Sequence, residues 1–207
     1  MPEVRLRVPL QEADIRALRI GDRVYFSGPA WTCRSRLQRY VFDEAHALPF
    51  STGERNLLIH TGPIILPEGS AWRLVGLVPT SSIRFEKWGV RSVREWGLRA
   101  IVGKTTMGTA TMAAMKELGC IHATPLGVTP QLFVDRIRVR GVHWLKELGS
   151  IEAAWQLEIE ELGPFLVDID TEGNNHFNRL DLRIEANRRE AYRSLGIAED
   201  FEYTKLY

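Results

Sequence analysis

The sequence predicts a mixed α/β fold, in which helices flank a central sheet of parallel and antiparallel strands. Three observations carry this. Short β-branched runs recur along most of the chain. Some alternate with helical patterns in β-α-β order, which requires crossovers between parallel strands. Others follow one another across turn residues, as antiparallel hairpins do. No low-complexity segment, long linker or internal repeat divides the 207 residues, so residues 1–207 are expected to form one domain with a sizeable core.

The elements follow in chain order. VRLRV (4–8) alternates apolar and basic residues and predicts a half-exposed strand. DRVYFSG (22–28) predicts a second strand, ending in a turn at Gly28-Pro29. NLLIHTGPII (56–65) and AWRLVGLVPT (71–80) read as two paired strands, with LPEGS as their turn. A helix is expected after Ser82. LRAIVG (98–103) is a continuous apolar run of the kind buried in a sheet's centre. The helix expected over 109–118 places Ala110, Ala114 and Leu118 on one face. CIHAT (120–124) is a short strand. DRIRVRGVHWL and AWQLEIEEL alternate strongly, as an antiparallel pair would, and FLVDID (165–170) is a further strand. LRIEANRREAYRSLG (182–196) closes the chain as a helix.

Apolar residues make up 44% and charged residues 26%, an ordinary globular profile. A net charge of +1 supplies no field for nucleic acid or an acidic membrane, and neither is an expected partner. No apolar run approaches the ~20 residues that span a bilayer. The start, MPEVRLRVPLQEAD, has charges where a signal peptide needs its apolar centre, so a cytoplasmic location is expected. Cys33 and Cys120 form no metal-spaced pair; free thiols and no metal site are expected.

Three strand ends carry cationic or hydroxyl groups: Thr32-Cys33-Arg34, Pro79-Thr80-Ser81-Ser82 with Arg84, and Gly103-Lys104-Thr105-Thr106. In α/β sheets, loops at the carboxyl ends of strands are where ligands gather. Serine or threonine at such a junction is more often an N-cap than a catalyst, and Ser81 or Ser82 suits that role. A helix start, however, favours acidic groups, so Arg34, Arg84 and Lys104 beside three such junctions are anomalous unless an anion is shared. GKT at 103–105 is not a P-loop: the position five before Gly103 is Leu98, which leaves no glycine-rich wrap. His60, ending LLIH beside Thr61-Gly62-Pro63, is placed to line a cleft. His143 and His176 are less suggestive. Asp170 in DIDTEGNN reads first as a turn residue and second as a contact site.

These segments, in this order, resemble the β subunit of class I fumarases and of L(+)-tartrate dehydratase, equivalent to the C-terminal domain of single-chain class I fumarases. LRIGDRVYFSGPAWTCRSR is similar to the family's opening strand and Thr-x-Arg turn. HTGPII matches its x-Gly-Pro segment. GLVPTSSIRFE is similar to Gly-Pro-Thr-Thr-x-x-Arg-Met-Asp/Glu, AIVGKTTM to a Gly-Lys-Gly-Gly-Met loop, and LGPFLVDIDTEGNN to the stretch near the end of the tartrate dehydratase type. The resemblance implies a swivelling β/β/α domain working as half of an iron–sulfur hydro-lyase. The 4Fe-4S cluster would be held by cysteines of a partner α subunit and not by this chain.

Matched position by position, Arg34, Thr80, Arg84 and Lys104 fall on the family's substrate-contacting positions, with Ser81 and His60 beside them. Arg34 and Arg84 would clamp the carboxylates of a small dicarboxylate, Lys104 would complete a cationic wall, and Thr80 would position the reacting carbon. Four departures stand out: Ser35 and Gln38 replace an aspartate and a histidine, Val78 replaces a glycine, Ser81 a threonine, and Thr105 and Thr106 two glycines. These point either to a larger or hydroxylated dicarboxylate, or to a non-catalytic binding or assembly module on the same fold. An isolated β subunit should expose an apolar face and self-associate, as a homodimer for example.

Overall fold

The computed structural model describes residues 3–127, 129–198 and 200–201. The ends of the expected domain, residues 1–2 and 202–207, lie outside these. The fold is mixed α/β. Its main sheet is built from β1 (Glu3–Arg7), β2 (Arg23–Cys33), β3 (Leu57–His60), β6 (Ala100–Val102), β7 (Ile121–Pro125), β8 (Ile137–His143) and β9 (Ala154–Ile169), while β4 (Ile64–Glu68) and β5 (Ala71–Gly76) form a separate hairpin.

β2, β3, β6 and β7 run parallel. β9 runs antiparallel to β7 and, along its other edge, to β2. The pairings β2–β3–β6–β7–β9–β2 therefore close into a ring. Alternation then has a simple meaning: one side chain in two points into the ring. Val24, Phe26, Ala30, Leu57, Ile59, Val102, Ala123, Leu157 and Val167 belong to one buried cluster. Trp31, Cys33, Leu58, Ile101 and Ile169 point the other way, into a second cluster under the helices.

That second layer consists of α2 (Ser35–Phe42), α3 (Glu86–Glu95) and α4 (Thr109–Leu118). α3 and α4 approach closely at Gly89, where a Cβ would lie 2.1 Å from Thr111 Oγ1. Glu86 of α3 reaches across to accept the Gly108 and Thr111 amides at 2.7 and 3.1 Å. It thereby satisfies donors at the start of α4 that Gly108 has no side chain to meet.

Several expectations are corrected. β2 runs straight through Gly28-Pro29 to Cys33, because β9 pairs alongside it as far as Trp31. The 56–65 run is two strands: β3 enters the ring, and the chain breaks at Thr61-Gly62-Pro63 before β4, so β5 pairs with β4 alone. AWQLEIEEL and FLVDID are one 16-residue strand, β9, carrying extra residues opposite β2 on both sides of Leu162. The buried face of α4 is Thr111, Ala114 and Met115, with Ala110 exposed. α1 (Glu12–Ala17), α2 and the short α5 (Leu145–Leu148) were not anticipated. α6 starts earlier than expected and spans His176–Ser194, capped by Asn175, whose Oδ1 accepts from Phe177 N and Asn178 N. Asp170 is a turn residue as first read: Oδ1 accepts the amides of Glu172 and Asn174 at 3.0 Å.

The α3–α4 contact gives a stability test. Gly89→Ala should lower the unfolding free energy by about 1–3 kcal/mol, the usual cost of overpacking, in a denaturant titration. A midpoint unchanged from the parent would show that the two helices are not held this close.

Candidate functional site

The ends of β3 and β6 diverge, and a third segment fills the gap. After β3 the chain leaves through the β4–β5 hairpin and returns at Pro79, which bridges Thr61; Thr61 Oγ1 donates to Val78 O at 2.8 Å. The segment 80–82 then runs between the two strand ends. Thr80 N donates to His60 O at 2.6 Å, Lys104 N to Thr80 O at 2.9 Å, and Ser82 N to Lys104 O at 2.9 Å. Thr80 and Lys104 are thus tied together through the backbone at the carboxyl edge of the sheet. A 3₁₀ turn over Ser82–Phe85 follows and places Arg84 in the open, just before α3.

Arg34 follows β2, whose last residue Cys33 pairs with His60. A Cβ on Gly62 would lie 2.9 Å from Arg34 Nη1, so the guanidinium lies against the exit from β3. Arg34 is half-buried and faces Glu152 at 3.3 Å. The other oxygen of Glu152 accepts the Arg36 amide at the start of α2, at 2.9 Å. The fold therefore brings the ends of β2, β3 and β6, and with them Arg34, Thr80, Ser81 and Lys104, to one sheet edge, with Arg84 a turn beyond.

His60 has a different place from the cleft lining expected of it. Its ring is buried, with Nδ1 2.9 Å from Ser82 Oγ and an edge contact to Phe85 at 4.5 Å between ring centroids. Burial, and then the neighbouring His122, hold its pKa well below the usual histidine range. Ser82 is also buried and its hydroxyl turns inward, and Ser81 makes no capping bond either. Neither hydroxyl caps the helix start.

Sequence reasoning missed His122 and Asp168. His122 Nε2 lies 2.8 Å from Ser82 Oγ, and His122 Nδ1 lies 2.6 Å from Asp168 Oδ1. All three residues have no measurable exposure. The signal was present as an ionisable residue with an apolar neighbour on each side, His122 between Ile121 and Ala123 in CIHAT and Asp168 between Val167 and Ile169 in FLVDID. Gly103 makes this arrangement possible, because a Cβ there would lie 1.8 Å from Ser82 Oγ.

Neither cysteine fits a metal. Cys33 and Cys120 are buried, and burial pushes both thiols up, with Glu152 adding to the effect at Cys33. Among the described residues no group of three His, Cys, Asp or Glu is placed to hold an ion, and no helix is long and apolar enough to cross a membrane. A recess of about 700 Å³ beside β1 and α1, lined by Leu6, Val8 and Asp14 among others, includes none of the strand-end residues above.

Thr105 adopts φ +63°, a left-handed conformation that a β-branched side chain resists. Thr105→Gly should therefore hold or raise the melting temperature, relieving about 1 kcal/mol of strain. A drop of several degrees would show that the threonine side chain stabilises the loop.

The fumarase C-terminus family matches residues 1–180. The L(+)-tartrate dehydratase subunit beta of Escherichia coli is 31% identical over 171 residues, covering 82% of this chain and 84% of that one. The Shigella boydii protein of the same name is equally similar, at 31% over the same shares. A Geobacillus stearothermophilus protein, provisionally named a class I fumarate hydratase, is 33% identical over 83% of this chain but only 33% of its own length. Matched over most of its length and built on a mixed α/β fold, the chain belongs to the fumarase C-terminus family.

Proposed function

We propose that this chain is the β subunit of a cytoplasmic hydro-lyase that adds water to, or removes it from, a small dicarboxylate of the fumarate, malate or tartrate type. The relatives' names support the hydration chemistry and the pairing with an α subunit. The observation that carries the reading is the convergence of Arg34, Thr80 and Lys104 on one sheet edge, with Arg84 a turn away.

A 4Fe-4S cluster enters the proposal as a group of the α subunit. Such clusters need thiolate ligands, and the two buried, high-pKa cysteines here do not fit one. No step is assigned to it. In the dehydration direction a proton leaves the carbon beside a carboxylate and its electron pair forms the C=C bond. The C–O bond breaks on the neighbouring carbon with its electron pair going to the oxygen. The hydroxyl takes up one proton and departs as water, so one proton is lost from carbon and one is gained by oxygen. Negative charge builds on the first carboxylate as the proton leaves, and fixed cations in a water-poor cleft stabilise it.

Arg34 and Arg84 are assigned to the carboxylates, which a guanidinium meets with two parallel hydrogen bonds. Lys104 adds a point charge tied to Thr80 through the backbone. Thr80 and Ser81 orient the substrate. An alcohol is a poor base without an activating partner, so Thr80 is assigned positioning. His60, buried behind Thr80, supports the edge from below. Ile151, beside Gly62, and Ile83, beside Arg84, are 52% and 46% exposed, and such apolar rims suit cover by the α subunit or, in its absence, a second copy of this chain.

Assembly with an α subunit under anaerobic conditions should give turnover of fumarate, malate or tartrate. Arg84→Ala should then cost about 3 kcal/mol, or on the order of 10²-fold in kcat/KM. Undiminished turnover would remove Arg84 from the site, and dicarboxylate binding without turnover would favour the binding-module reading. Glu152→Gln should tighten dicarboxylate binding by roughly two- to tenfold, because Arg34 loses a competing carboxylate while the amide oxygen still accepts from Arg36. Unchanged or weaker binding in calorimetry would mean that Arg34 does not meet the ligand.

A further inference from the structure

Beneath the strand-end segment lies a buried chain of four side chains: Asp168 to His122 at 2.6 Å, His122 to Ser82 at 2.8 Å, and Ser82 to His60 at 2.9 Å. They come from β9, β7, the 3₁₀ turn and β3. The order Ser82–His122–Asp168 has the connectivity of a nucleophilic triad. Ser82 is fully buried, however, and its oxygen already serves two histidines, so no acyl group can reach it.

The hydrogen bonds have a direction. The direction follows when His122 carries a single proton: the Asp168 carboxylate only accepts, so that proton lies on Nδ1. Nε2 is then a lone pair and must receive the Ser82 hydroxyl proton. The Ser82 oxygen is left to accept from His60 Nδ1. His60 Nε2 becomes a lone pair, and it has no hydrogen-bond partner among the described residues. An unpartnered acceptor is more readily tolerated than an unpartnered N–H.

We propose that Asp168, His122, Ser82 and His60 form one directional relay in which Asp168 sets the tautomers of both histidines, and that Asp168, His122 and Ser82 are positioning residues for Thr80 and Arg84. Ser82 lies two residues after Thr80 and two before Arg84, and His60 O holds the Thr80 amide. The relay thus fixes the middle of the segment from below while backbone bonds fix it from the sides. The positioning half rests on the hydro-lyase reading; the tautomer half does not.

The test has two arms. Nitrogen-15 imidazole spectra of this chain should show both His60 and His122 as Nδ1–H tautomers. Asp168→Asn, whose amide can donate to Nδ1, should move the proton to Nε2 in both rings, including His60 three hydrogen bonds away along the chain. An Nε2–H His60 in the parent protein overturns the relay whether or not the variant folds, and so does a His60 that ignores Asp168→Asn. In the assembled enzyme, Asp168→Asn should lower kcat by about tenfold or more with KM within about threefold, the pattern of lost transition-state alignment. His122→Gln, whose amide oxygen can still accept from Ser82, should keep kcat within about threefold of the parent, whereas His122→Leu should not. Tautomers that reverse with kcat unchanged, or a Gln variant no better than Leu, would overturn the positioning role. The spectra are read without turnover, so they decide the relay even if the hydro-lyase reading fails.

Discussion

The architecture of the strand-end edge depends on three backbone hydrogen bonds. Two parallel strands, β3 and β6, part at their ends, and residues 80–82 are stitched between them through His60 O, Lys104 N and Lys104 O. A short segment inserted in this way is held as rigidly as a strand while the side chains of Thr80 and Ser81 remain at the rim. That satisfies backbone groups that diverging strands would otherwise leave unpaired. It also places a hydroxyl residue and a lysine on adjacent backbone positions with no freedom to separate. Sites on such supports are more precise than sites on free loops.

Everything else at the edge serves this insertion. The β4–β5 hairpin is an excursion that leaves at Thr61 and returns at Pro79, beside its starting point. Gly103 lacks the Cβ that would expel Ser82, and Glu86 ties α3 to the start of α4, just after the Lys104 loop. Thr105 takes a glycine's backbone conformation without being glycine, so the loop geometry is imposed by its surroundings rather than by local preference. The ring of strands around the inner core makes the edge rigid, and α2, α3 and α4 cover the outer face.

Much of this was legible in the sequence. Alternation in 137–143 and 154–162 announced the β8–β9 pair, and the apolar run before Gly103 announced a buried strand. Pro79 and the hydroxyl residues after it read as the end of a strand over 71–80, but β5 stops at Gly76 and the segment instead returns between β3 and β6. Closure of the sheet was not legible, because β9 pairs with β2 across more than a hundred residues, and no local pattern encodes such pairing. Extra residues around Leu162 hid the continuity of β9 by breaking its alternation. α2 was missed because SRLQRYVF carries two arginines and buries only Leu37, Gln38 and Phe42. His122 and Asp168 escaped because each sits between apolar neighbours in a strand, and their partnership exists only once β7 and β9 lie side by side.

The central claim is that a dicarboxylate binds at the strand-end edge where Arg34, the inserted segment and Lys104 meet, and not in the recess beside β1 and α1. Hydrogen exchange of the assembled enzyme, with and without a saturating dicarboxylate, reads this residue by residue. The account predicts added protection concentrated at the amides of 80–84 and 103–108. Protection that instead falls beside β1 and α1, or no change at the Thr80, Ser82 and Lys104 amides, would contradict it.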